Sequence, residues 1–279
     1  MNDSELVARI LLNVAIPANE GRLRKHLFEL PVEQALDLVQ NAKADQRWLD
    51  MALNRARARL GTFNLASSLK AMEILRLEIV NPSDIGGIDD LGSQAPWILF
   101  STAKFASIDF TAVVGTRSRT ATGAKIAEQV VSQMEVSRGL VSGGANGIDL
   151  SAHLIAKAQQ VPQLMVLAGG LDSVYPKKAS EFIREGFLGA AISEMPPGVK
   201  SGKLGFLNRN RLIAAVCSRL FLVEAPEVSG SINTAQHALN LSREVTVCLT
   251  DDPEFSPGGQ WMAKKAGVKT EFFEMAEVG

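Results

Sequence analysis

The chain has 279 residues, 46% of them hydrophobic and 21% charged, with a formal net charge of −1. This is the balance of a soluble globular protein with room for one large domain, or a large and a small one. It excludes a uniformly basic surface, so a nucleic-acid partner requires cations gathered into one local patch. No apolar run is long enough to cross a bilayer. Met1-Asn2-Asp3-Ser4-Glu5 lacks the basic and apolar regions of a signal peptide. The two cysteines, Cys217 and Cys248, sit in apolar runs without metal-like spacing. They read as buried free thiols in a reducing compartment, and the expected location is the cytoplasm.

Residues 1–72 read as a helical N-terminal domain. Leu27, Leu30, Ala35, Leu36 and Val39 recur at helical spacing, as do Leu49, Leu53 and Leu60. Arg55, Arg57 and Arg59 form a basic cluster that reads as a solvated helix face. From residue 73 to 279 the texture changes. Leu77-Glu78-Ile79-Val80 and Trp97-Ile98-Leu99-Phe100 read as entry strands. Strands then follow at 111–115, 140–142, 164–168, 190–193, 220–223 and 245–249, separated by helices at 121–135, 148–159, 179–185, 212–217 and 232–241. Continuous apolar strands between amphipathic helices imply a parallel sheet covered on both faces, an α/β fold. The strand order is not readable from the pattern.

In such a sheet ligands bind beyond the carboxyl ends of the strands. Here those ends are small and polar: Gly115-Thr116-Arg117, Ser142-Gly143-Gly144, Gly169-Gly170 and Ser229-Gly230-Ser231. Glycine lets a backbone approach a phosphate, and helix starts supply N–H donors. Asn208-Arg209-Asn210-Arg211 precedes an apolar helical run and reads as an anion clamp at a helix start, Arg being matched to phosphate. Neither G-x-G-x-x-G nor G-x-x-x-x-G-K-[ST] is present in full. A sugar-phosphate backbone therefore fits better than a dinucleotide or a P-loop triphosphate, and Lys177 and Lys178 beside Tyr175 add cations and a stacking ring.

Other residues read as structural. Asp149 and His153, four apart on one helix, fit a cap and a packed ring. His237 has no second ligand near it, so no metal is expected. Ser142 and Ser229 lie in no G-x-S-x-G elbow, so no catalytic residue is assigned. Glu194 and Glu224 are expected to orient Arg209 or Arg211. Of these two arginines, Arg211 is the expected structural one and Arg209 the one facing the ligand.

In order along residues 75–270, these stretches resemble the DNA-processing protein A family (DprA, also called Smf). They are Gly115-Thr116-Arg117, Ser142-Gly143-Gly144 with Gly147-Ile148-Asp149, and Gly169-Gly170-Leu171-Asp172 with Tyr175-Pro176. Phe206 with Arg209-Asn210-Arg211, Val223-Glu224-Ala225 and Ser229-Gly230 with Asn233-Thr234-Ala235 continue the series. The resemblance implies an extended Rossmann-like, doubly wound domain that dimerises, binds single-stranded DNA and loads the RecA recombinase during natural transformation. It implies no cofactor and no catalytic reaction. It carries DNA contact to Arg117, to Lys177 or Lys178, and to the stretch 209–211. Asn146 stands where many members have Arg, Leu249-Thr250-Asp251-Asp252-Pro253 replaces a usual Pro-Gly pair, and no room remains after Gly279 for the winged-helix module of some members. The competing readings are a nucleotide phosphoribohydrolase and a small-nucleotide sensor. The first is disfavoured because Ser229-Gly230-Ser231-Ile232-Asn233-Thr234-Ala235-Gln236 lacks the glutamate of that enzyme's loop. A sheet edge near 220–223 or 245–249 is the expected dimer region.

Overall fold

The computed structural model describes residues 1–106, 108–135 and 137–274. The chain opens with helices α1 (Asp3–Ala15), α2 (Gly21–Leu27), α3 (Val32–Asn41), α4 (Arg47–Thr62) and α5 (Leu65–Ile74). Leu12, Ile16, Leu23, Leu27, Val39 and Leu53 form their shared apolar cluster, which Trp97 joins from outside the helices. The basic cluster of α4 is not a free solvated face. Arg55 and Arg59 both hold the Glu20 carboxylate, at 2.9 and 2.7 Å. Arg57 donates to the Val39 carbonyl at 2.7 Å, closing the carboxyl end of α3. Three surface arginines thus staple helices together.

Strands β1 (Glu78–Val80), β2 (Leu99–Ser101), β3 (Phe110–Val114), β4 (Gly139–Ser142), β5 (Gln163–Leu167), β6 (Gly189–Ser193), β7 (Cys217–Leu222), β8 (Glu244–Leu249) and β9 (Val268–Phe272) form the sheet. Among the described residues it has nine strands in the order β1-β2-β6-β5-β4-β3-β7-β8-β9. The pairs β1/β2 and β2/β6 are antiparallel, and all other pairs are parallel. Helices α6 (Ala121–Ser132), α7 (Ile148–Ala158), α8 (Lys177–Arg184), α9 (Lys203–Val216), α10 (Gly230–Asn240) and α11 (Pro257–Ala263) connect and cover it. Apolar clusters lie on both faces, one under α9 and α10 and one under α6 and α7. This is the expected Rossmann-like, doubly wound, mostly parallel α/β architecture. Strand β3 is buried over its whole length, as a central parallel strand must be. The order reverses between β3 and β7, so the switch point lies where those two strands end.

Two expectations fail here. Strands β7 and β8 are interior, so neither is an edge; the free edges are β1 and β9. Helix α9 begins at Lys203, nine residues before the expected start at Leu212, with Gly202 at its amino end. The stretch Arg209-Asn210-Arg211 therefore lies inside a helix, not at its positive end. The chain turns at Gly198, whose φ is +91°, and then needs only a short link to reach Lys203.

The first helix is tied into the sheet. Asn13 is 1% exposed. Its amide nitrogen donates to the Ile98 carbonyl at 2.8 Å and the Glu194 carbonyl at 2.7 Å, and its oxygen accepts from the Trp97 N–H at 3.0 Å. Ile10 packs beside it against Ile98 and Phe100.

Candidate nucleic-acid interface

A cavity of about 890 Å³ opens at the switch point. Its walls come from the end of β3 (Val114, Gly115, Thr116, Arg117), the loop 200–202, the first half of α9 and the start of α10 (Ser229, Gly230, Ser231). These segments meet because β3 and β7 are neighbours and their crossovers leave on opposite faces. Among the sequence-predicted residues, Gly115, Thr116, Arg117, Arg209, Asn210, Ser229, Gly230 and Ser231 line the cavity.

Arg117 is exposed. Its guanidinium lies 5.1 Å from the centroid of the Phe206 ring. Tyr175 meets the same ring edge-on, with centroids 6.0 Å apart, and is 58% exposed. Among the described residues no carboxylate pairs with Arg117. Lys200 and Lys203, exposed on the same rim, were missed by the sequence reading. Their signal is faint in sequence, because single lysines beside glycines look like ordinary loop charges. The mouth thus offers an unpaired guanidinium, two ammonium groups and two rings, the combination that takes bases on π-faces and phosphates on cations.

Arg209 is 5% exposed and turned inward. Its Nη1 donates to the Gly143 carbonyl at 2.6 Å and also to the Val166 carbonyl. It therefore locks the ends of β4 and β5 together, and this corrects its expected role as the ligand-facing arginine. Burial pulls its guanidinium down to about 10, with Asp149 opposing and Arg117 adding to the shift. Asp149 accepts from the Gly143 N–H at 3.1 Å and the Gly115 N–H at 3.4 Å. Burial raises its carboxyl, against the pull of Arg209 and those two donors. Gly143 has to be glycine, since a Cβ there would come within 2.7 Å of the Arg209 Cζ. His153 packs beside Gln163, with Nδ1 2.8 Å from its side-chain amide, and burial holds the ring down to about 4. The Asp149 and His153 pair is a brace, as its spacing suggested.

Arg211 faces the other way. It is 1% exposed and pairs with the buried Glu194 carboxylate. Its Nε donates to the Gln94 carbonyl at 2.9 Å and its Nη1 to the Asn208 carbonyl at 2.7 Å. Arg24, buried in the same cluster, stacks on Trp97 at 4.0 Å, and burial pulls it down to about 9. Glu224 orients no arginine; it accepts from the Thr120 N–H at 3.0 Å and caps α6. The three guanidiniums of Arg117, Arg209 and Arg211 therefore do not surround one phosphate.

The remaining candidates lie outside the cavity lining. The Ser142 hydroxyl donates to the Val113 carbonyl at 2.7 Å. Gly144, at φ +65°, backs onto Met165. Gly169 and Gly170 admit the loop 196–201, with the Gly170 N–H donating to the Val199 carbonyl at 2.8 Å. Asn208 donates to Asn19 at 3.0 Å. Lys177 and Lys178 are exposed on the first turn of α8, Lys177 reaching Glu181 at 3.5 Å. Asp251 and Asp252 are also clear of the cavity. Among the described residues there is no grouping of His, Cys, Asp or Glu able to hold a metal, and no helix long and apolar enough to cross a membrane.

Comparison with known proteins agrees with this architecture. Residues 82–278 match the sequence model of the family described as DNA recombination-mediator protein A. A putative DNA processing protein DprA of Mycobacterium tuberculosis is 43% identical over 169 residues, covering 60% of this chain and 41% of that protein. The DNA processing protein DprA of Streptococcus pneumoniae is 36% identical over 169 residues, covering 59% of this chain and 58% of that one. The matched stretch thus spans about half the length of these curated relatives. The crystal structure of the Streptococcus pneumoniae protein superposes with a TM-score of 0.71 at 24% identity, covering 96% of this chain and 93% of that one. A Helicobacter pylori DNA processing protein A, described for its single-stranded DNA binding mode, superposes with a TM-score of 0.61 at 22% identity, covering 70% and 90%. With the family match spanning most of its length, the chain belongs to the DNA recombination-mediator protein A family.

Proposed function

We propose that this chain binds single-stranded DNA across the mouth of the switch-point cavity and hands the strand to the RecA recombinase during DNA uptake. The observation that carries the reading is the unpaired Arg117 guanidinium set over Phe206, with Tyr175 on the far edge of the same ring. A single strand exposes base faces that stack on such rings, whereas a duplex hides them. Lys200 and Lys203 on the rim then meet phosphates without reading sequence. The arrangement binds and positions, and it assigns no catalytic residue and calls for no cofactor. The family name and the single-stranded DNA binding of the Helicobacter pylori relative support this reading. So does the confinement of free cations to one rim of a chain whose net charge is −1.

Under the same proposal the protein works in the cytoplasm as a homodimer, with residues 1–72 as a helical domain and 73–279 as the DNA-binding one. Fluorescence anisotropy with single- and double-stranded oligonucleotides over a salt series tests the central claim. The expected result is tighter binding to the single strand, with log affinity falling linearly against log salt. Salt-independent binding, or equal affinity for duplex, would overturn it.

A further inference from the structure

The cavity behind the mouth is larger than a strand crossing its rim would need. At about 890 Å³ it falls in the range of small-molecule sites, which are apolar pockets with a few placed polar groups. Val114, Phe206, Ile213 and Pro226 supply the apolar wall. At its inner side two polar groups lack partners. Arg209 forms part of the wall and is 5% exposed, yet its Nε has no hydrogen-bond partner, and neither has the Ser173 hydroxyl. Buried polar groups are normally satisfied, so such orphans mark a place where something else supplies the bond. Facing them is the start of the eleven-residue helix α10. Ser229 caps it, accepting from the Ile232 N–H at 3.3 Å, which leaves the N–H groups of Gly230 and Ser231 at the positive end of the helix.

We infer that the cavity accepts one complete nucleoside 5′-monophosphate, its phosphate at the start of α10 and its base against Phe206. The source is either a free nucleotide or the phosphorylated end of a strand, and the chemistry recognised is the same. This goes further than the functional reading above, on which it rests only in sharing the cavity. A strand running across the rim presents internal phosphodiesters, and these do not fill the space between Arg209 and α10.

The test uses the full chain. Thymidine 5′-monophosphate is titrated calorimetrically beside thymidine, and a labelled oligonucleotide is titrated with a 5′-phosphate or a 5′-hydroxyl. Saturable binding of the nucleotide, absent for thymidine, identifies the free ligand as the source. Tighter binding of the phosphorylated oligonucleotide alone identifies the strand end. Neither effect, with the oligonucleotide still bound, overturns the inference and leaves the functional reading intact. Nucleotide binding without any oligonucleotide binding does the reverse. The variant Gly230→Asp places a carboxylate at the phosphate seat. Its Cβ meets only the Asn210 amide nitrogen, at 3.7 Å, and an acidic residue at a helix start favours the fold. It should melt no lower than the parent yet bind the nucleotide or the phosphorylated end at least about tenfold more weakly, the size of one charge-assisted hydrogen bond. Unchanged phosphate affinity in a folded Gly230→Asp protein would also overturn the inference.

Discussion

The two halves of α9 carry similar charges and put them to opposite uses. In its first turns Lys203 is exposed and Phe206 half-buried, and both face the cavity. Two turns on, Arg209 and Arg211 are buried, each held by protein oxygens. Successive helical residues are about 100° apart, so two arginines separated by one residue point to nearly opposite sides. One meets the carbonyls at the ends of β4 and β5, and the other meets Glu194. A guanidinium with five donors can close several strand-end carbonyls at once, which a lysine does less well. The lesson is that an arginine becomes a ligand site only where the fold leaves it without an oxygen partner, and here that place is Arg117.

The largest effect expected from this contrast is on stability. Arg211→Ala leaves the Glu194 carboxylate buried and unpaired, which costs about 3–5 kcal/mol. Chemical denaturation should show that loss, and the double variant Arg211→Met/Glu194→Leu should recover most of it. If the single and double variants are equally unstable, the pair is not what holds α9 in place.

Next in size is the effect at the mouth, read in affinity rather than melting temperature. Arg117→Ala should weaken single-strand binding by about 1.5–3 kcal/mol, and Phe206→Ala by about 1–3 kcal/mol through lost stacking. Only the arginine variant should also flatten the salt dependence. Parental binding by Arg117→Ala would erase the distinction drawn between the two ends of α9.

The smallest effect concerns the brace beneath the mouth. Burial holds His153 neutral down to about pH 4, below its ordinary value of 6.5. The unfolded chain therefore takes up a proton between pH 6.5 and 4 that the native one refuses. His153 should contribute a loss of stability across that window as pH falls, levelling out below it. Proton NMR of the ring should show no titration above about pH 4.5. A native midpoint near 6.5 would mean the ring is not sealed in.

Much of this was legible in the sequence. Continuous apolar runs such as 111–115 and 164–168 are the signature of strands buried on both faces, and they located the parallel sheet. Glycine-rich strand ends located the binding edge. Strand β9 was missed because Val268-Lys269-Thr270-Glu271-Phe272 is an edge strand, mostly exposed, without an apolar run. The fate of the arginines was unreadable for a different reason. Their partners are backbone oxygens of Gly143, Val166 and Gln94, and every residue carries such an oxygen, so no side-chain pattern announces it. The glycines of Gly169-Gly170 looked like phosphate cradles but serve close packing of the loop 196–201, a need that leaves the same residue behind.

The Asn13 amide has a bearing on how the helical segment can be inherited. One side chain joins α1 to the backbone on either side of the β2/β6 pairing, touching Trp97, Ile98 and Glu194. The last of these also grips α9 through Arg211. The stretch matched by the family model begins at residue 82, downstream of all five helices. A chimera that takes its first helices from one relative and its sheet from another must therefore supply, at the place of residue 13, a side chain that both donates and accepts. Asn and Gln alone do so through a single planar amide. A leucine there would leave two carbonyls and an N–H stranded at the point where the amino-terminal helices, the sheet and the DNA-facing helix meet.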